Sequence, residues 1–199
     1  MRWIQIDGTD LIDAISDSTL SDLIPKSAGV YLWRRRLQID PSILSDSDVI
    51  EAWLETECSK PMAILSEKRI SYSSTWLGMR IGGGQLTSDK KAALGKAASS
   101  GRKREHLSSF IASLNAYTPP LYVGESNNLA KRVRDHLSGE TRLEAYVREK
   151  LGLRWEDLEL NYLKLTDASE LSDNVKSYQQ LLEYIAQTIL SPFGTERPG

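Results

Sequence analysis

Two short apolar runs, Gly29-Val30-Tyr31 and Leu121-Tyr122-Val123-Gly124, constrain this chain more than any other feature. Both read as buried strands, and each carries one tyrosine into the sheet. The two tyrosines lie 91 positions apart (122 − 31). The second run is delivered by Pro119-Pro120 and leads into Asn127-Asn128, a turn and cap signal. A basic helix follows, in which Leu129, Val133, His136 and Leu137 share one face.

The rest of the chain punctuates itself. Trp3 to Ile6 reads as a strand, followed by a helix capped by Asp10 and ended by Pro25. Pro41 to Cys58 is helical, with Val49, Ile50, Trp53 and Leu54 as its stripe, and Met62 to Leu65 and Arg69 to Tyr72 are short strand candidates. Gly101 to Arg104 reads as exposed loop ahead of a helix from Glu105 to about Leu114. A further helix covers Leu143 to Leu151, and Leu158 to Leu165 alternates as a strand. The last helix runs from about Asp173 to Leu190, with Val175, Leu181, Leu182, Ile185 and Ile189 inward, and Pro192 closes it. The order predicts an α/β (α+β) layer, a small mixed sheet flanked by helices.

With 25 basic and 27 acidic residues the net charge is −2, so no global positive field draws in a polyanion. The average hides an asymmetry. Between Leu37 and Glu67 seven acids face Lys60 alone, whereas between Arg80 and Arg104 seven bases face Asp89 alone. Phosphate binding depends on such local charge. The single Cys58 excludes an intrachain disulfide and a cysteine zinc site, and with only His106 and His136 a histidine-rich metal cluster is excluded too. No apolar window approaches the ~20 residues of a membrane span. A soluble cytoplasmic protein with no membrane partner is expected.

Arg132 lies eight positions beyond Gly124, and His136 four beyond Arg132, so the two side chains project from one helical face toward the Tyr122 strand. Glu183 is a lone acid in the apolar stretch Leu181-Leu182-Glu183-Tyr184-Ile185. Taken together, Tyr31, Tyr122, Arg132, His136, Glu183 and Pro192 stand in an order and spacing that resemble the GIY-YIG nuclease family. The likeness covers residues 28–33 and 120–192. It implies a metal-dependent phosphodiesterase. Glu183 would hold one Mg²⁺ (or Mn²⁺), largely through water. Tyr31 would be the general base, with its pKa lowered by nearby cations. Arg132 would grip the phosphate, and Tyr122 and His136 would position phosphate or water, with His136 the second candidate for proton transfer. The chain departs from the family pattern in three places. The usual gap of about a dozen residues is 91 here, Glu125 would put a negative charge near the scissile phosphate, and Gly194 and Thr195 stand where an Asn commonly follows the late Pro.

The stretch 34–119 then reads as an insertion lobe within a single 1–199 nuclease domain. Lys90, Lys91, Lys96, Arg102, Lys103 and Arg104 would contact a nucleic-acid backbone, joined by Lys131 and Arg134 of the basic helix. The acidic half of the lobe could cover that basic surface until a partner displaces it. The resemblance points to a DNA endonuclease of restriction or phage defence, with RNA left open as substrate. It would act as a homodimer if it cuts both strands, or with a defence-complex partner. The alternative is a non-catalytic nucleic-acid-binding or protein-interaction module on the same scaffold.

Overall fold

The computed structural model describes residues 2–37, 39, 43–59, 87–165 and 175–190. The chain divides into two compact units, one formed by 1–36 with 118–199 and the other by 37–117.

Among its described residues the first unit is built on four strands: β1 (Ile4–Asp7), β2 (Gly29–Arg35), β3 (Tyr122–Ser126) and β4 (Leu158–Lys164). Their spatial order is β1-β4-β2-β3. Every pairing is antiparallel, which replaces the expected mixed sheet. The tyrosine strands are neighbours despite their separation in sequence, with Tyr31 opposite Gly124 and Trp33 opposite Tyr122. On its other side β2 pairs with β4, Tyr31 standing opposite Tyr162. The first five residues of β2 are all buried, as its unbroken apolar run requires when both sheet faces are covered.

Strand alternation sends Tyr31, Trp33, Leu158, Leu160 and Tyr162 to one face. They pack there with Leu11, Leu20, Ile24, Leu129, Val133, Leu143 and Val147. Those partners come from α1 (Gly8–Ser16), α2 (Leu20–Leu23), α6 (Leu129–Leu137), α7 (Arg142–Ala145) and the segments beside them. Val30, Leu32 and Val123 point to the other face, where Leu182, Ala186 and Leu190 of α8 (Val175–Leu190) cover them.

Local geometry corrects several expectations. Helix α1 begins at Gly8 rather than after Asp10, with Asp7 at its N-cap. A Cβ on Gly8 would lie 1.8 Å from the Trp155 carbonyl oxygen, so only glycine lets the helix start this close to the 3₁₀ turn Trp155–Asp157. The helix expected over Leu143 to Leu151 is instead α7 followed by a π-helical turn, Tyr146–Lys150.

The inward face of α8 also differs. Leu181, Ile185 and Ile189 are exposed, while Gln179 and Gln187 are buried. The reason is the edge strand beneath. Among the described residues strand β3 has a strand neighbour on one side only, and the two glutamines supply amide donors to the Ser126 and Val123 carbonyls. Backbone satisfaction thus selects which stripe of this doubly apolar helix turns in.

In the second unit, α3 (Ser47–Ser59), α4 (Ser88–Ala98) and α5 (Gly101–Ser113) surround Ile39, Leu44, Ile50, Ala98 and Ile111. Helix α5 starts at Gly101, so Arg102, Lys103 and Arg104 form its first turn rather than a loop. Basic residues there oppose the helix dipole. Arg104 offsets this by donating from Nη1 to the Ala98 carbonyl at 2.7 Å. The strand candidates at 62–65 and 69–72, together with Pro192, Gly194 and Thr195, lie outside the described residues.

Candidate functional site

Helix α6 positions the site. Asn128 caps it, its Oδ1 accepting from the Lys131 amide at 3.0 Å. Leu129, Ala130, Val133 and His136 are the residues α6 buries, so Arg132 and His136 are carried over the sheet face that presents the tyrosines. Gly139, with φ of +78°, then reverses the chain and returns Thr141 toward the helix end.

The structure brings four of the five predicted catalytic residues together, Tyr31, Arg132 and His136 in one hydrogen-bonded group and Tyr122 packed against it. Tyr31 Oη lies 2.7 Å from His136 Nε2, and Arg132 Nε donates to the same oxygen at 3.2 Å. His136 Nδ1 lies 2.6 Å from Thr141 Oγ1. The Tyr122 ring packs 6.0 Å from that of Tyr31 and edge-on to His136 at 5.6 Å. A Cβ at Gly124 would sit 2.6 Å from Tyr31 Oη and 2.8 Å from Tyr122 Cε1. The glycine of the second strand motif therefore makes room for the tyrosine hydroxyl of the first.

The electrostatics assign the protons. Burial pushes the Tyr31 hydroxyl well above its ordinary range, with Tyr122 adding to the effect and Arg132 opposing it. This corrects the expectation of a pKa lowered by cations, because a fully buried phenol loses more from desolvation than one guanidinium restores. Burial, and then the charge of Arg132, lower His136 to about 3. The imidazole is therefore neutral at pH 7. Tyr31 donates to Nε2, and Nδ1–H donates to Thr141, so each group has a partner.

A cavity of about 450 Å³ opens beside this group, and Tyr122, Arg132, His136, Thr141 and Tyr146 are among its lining residues. Tyr31 is wholly buried behind them and does not line it.

Glu183 stands apart from that hydrogen-bonded group. It is carried by α8 on the opposite sheet face, half-buried, with Oε1 accepting from Gln187 Nε2 at 3.1 Å. Burial raises its pKa, the negative charge of Glu125 raises it further, and Arg132 opposes both. Its charge is thus coupled to Arg132 across the β3 edge, with Glu125 as a second carboxylate nearby. Among the described residues, no group of three or more His, Cys, Asp and Glu side chains comes together.

The predicted phosphate-contacting residues divide. Lys90, Lys96, Arg102 and Lys103 are exposed on α4 and α5, and Lys131 and Arg134 are exposed on α6. Lys91 pairs with Glu51, a contact between the basic and acidic halves of the second unit. Among the described residues, no helix is long and apolar enough to cross a membrane.

No protein-family model, curated protein or solved structure matches the chain. The site stands on its own geometry. Sequence reasoning missed Thr141, the steric role of Gly124, and the wall supplied by Tyr146. The sequence signal that could have found Thr141 is Gly139, a residue suited to the turn that brings the chain back on His136.

Proposed function

We propose that this chain is a metal-dependent phosphodiester hydrolase, a DNA endonuclease of the GIY-YIG kind serving restriction or phage defence. The observation that carries this reading is the Tyr31 hydroxyl held between His136 Nε2 and Arg132 Nε beside an open cavity. The neighbouring tyrosine strands and the shared face of Arg132 and His136 support it.

Arg132 is the group best placed for the phosphate. It lines the cavity, keeps its charge at any working pH, and presents a forked donor. As its guanidinium turns to the phosphate, the hydrogen bond to Tyr31 Oη is released. That movement would open Tyr31 Oη to the cavity, where it takes the proton of the attacking water while passing its own to His136 Nε2. Nε2 of the neutral imidazole carries no proton, the turn of Arg132 to the phosphate removes one of the two causes that lower its pKa, and Thr141 holds the ring in the required tautomer. Because Tyr31 is buried and its proton tightly held, it acts as a relay rather than as a free phenolate base.

The carboxylates fit a hard cation. The negative charge of Glu125 disfavours ionisation of Glu183, a penalty that a divalent ion would relieve. Mg²⁺ needs few protein oxygens because it keeps most of its water. When bound, it would neutralise charge on a phosphate oxygen and on the leaving oxygen.

The test is incubation with plasmid in Mg²⁺ or in chelator, comparing wild type with Glu183→Ala. Cleavage that needs Mg²⁺ and is lost in the variant is expected. Equal cleavage by both proteins would overturn the reading. The burial of Tyr31 favours one alternative, a non-catalytic nucleic-acid-binding module, which predicts salt-sensitive binding with no turnover in either protein.

A further inference from the structure

The cavity holds more than a phosphate site requires. Arg132 suffices for a scissile phosphate, yet Arg142 lines the same space. Glu140 lines it too, and a carboxylate would repel a ligand that was phosphate alone. Tyr122 and Tyr146 add aromatic surface, which a phosphate cannot use. The π-helical turn beginning at Tyr146 is also a local departure from α-helix of the sort found at functional sites.

We infer that this cavity receives one unpaired nucleobase next to the scissile phosphate, so the substrate is nucleic acid with an unstacked nucleotide at the cut. This rests on the hydrolase reading for the position of the scissile bond. A base stacks on an aromatic face whatever its identity, which accounts for the tyrosines. Glu140 accepts from an exocyclic amino group, and Thr141 offers a hydroxyl to the same edge. Arg142 takes the adjoining phosphate, leaving Arg132 to the reaction. The volume, about 450 Å³, lies in the roughly 300–1,000 Å³ range of pockets that enclose small organic groups. A paired base cannot enter without leaving its stack, and that cost is smallest where the nucleotide is already unpaired.

The test uses Glu183→Gln protein, which leaves the cavity lining intact while halting cleavage. Its affinity is measured for a fully paired DNA duplex and for the same duplex with one unpaired 2-aminopurine. The unpaired site is expected to bind about tenfold tighter, with quenched 2-aminopurine emission. Adding Tyr146→Leu, which keeps apolar volume, should remove that preference and the quenching. Tyr146→Phe, which keeps the ring, should retain both. Equal affinity for the two DNAs, or a Tyr146→Leu loss that falls equally on both, overturns the inference. Preference without cleavage by wild type would sink the hydrolase reading and leave the pocket. Cleavage without preference would do the reverse.

Discussion

His136 makes the fold acid-sensitive in a calculable way. Its pKa falls from 6.5 in the unfolded chain to about 3 in the folded one, chiefly through burial and next through Arg132. The folded state therefore binds fewer protons than the unfolded state between those values. Stability is fully present above pH 6.5 and is lost as pH falls toward 3. Each pKa unit corresponds to about 1.4 kcal/mol, so the full contribution is about 5 kcal/mol, of which about 3 is gone by pH 4. Glu159 and Glu183 have raised pKa values, mainly from burial, and act with the opposite sign, gaining stability as pH falls. Their effect cancels when wild type is compared with His136→Gln. The assay is urea denaturation of both proteins at pH 7 and pH 4. Wild type should lose about 3 kcal/mol more than the variant between the two conditions. Equal losses would show that the imidazole is not held neutral by burial, and the proton assignment of the site would fall with it.

Gly124→Ala should be a severe lesion for its size. The new methyl meets Tyr31 Oη at 2.6 Å, and overpacking of this kind costs about 1–3 kcal/mol, read as a lowered denaturation midpoint together with lost cleavage. Thr141→Val removes the partner of His136 Nδ1 while keeping shape, and should lower kcat more than KM, with a shifted pH profile. On α8, Ile189→Glu should change stability by no more than about 0.5 kcal/mol, because Ile189 is 74% exposed. Leu182→Ala should cost about 2 kcal/mol by denaturation, because Leu182 packs on Val30, Leu32 and Val123. An Ile189→Glu loss as large as that of Leu182→Ala would restore Ile189 to the inward face that simple periodicity suggested.

That face shows where reading the chain failed. Helix α8 carries apolar residues on two sides, and periodicity ranks them without knowing what lies beneath. An edge strand with carbonyls to satisfy selected the side bearing Gln179 and Gln187. The start of α5 was hidden for a similar reason, since Gly101 and a run of bases read as loop until Arg104 caps the preceding helix. By contrast, α6 was legible down to its cap. Asn128 is a strong local signal, and four residues of spacing place Arg132 and His136 on one face whatever the surroundings.

The strands, the capped helix and the candidate tyrosines, arginine and histidine are properties of the chain itself. They depend on local backbone preference and on side-chain period. The antiparallel pairing of two strands 91 residues apart, the burial that holds Tyr31 protonated and His136 neutral, and the cavity beside them arise only in three dimensions. Desolvation is a property of everything packed around a group, and no spacing along the chain encodes it. The same packing raises the Tyr31 pKa where sequence alone suggested a lowered one.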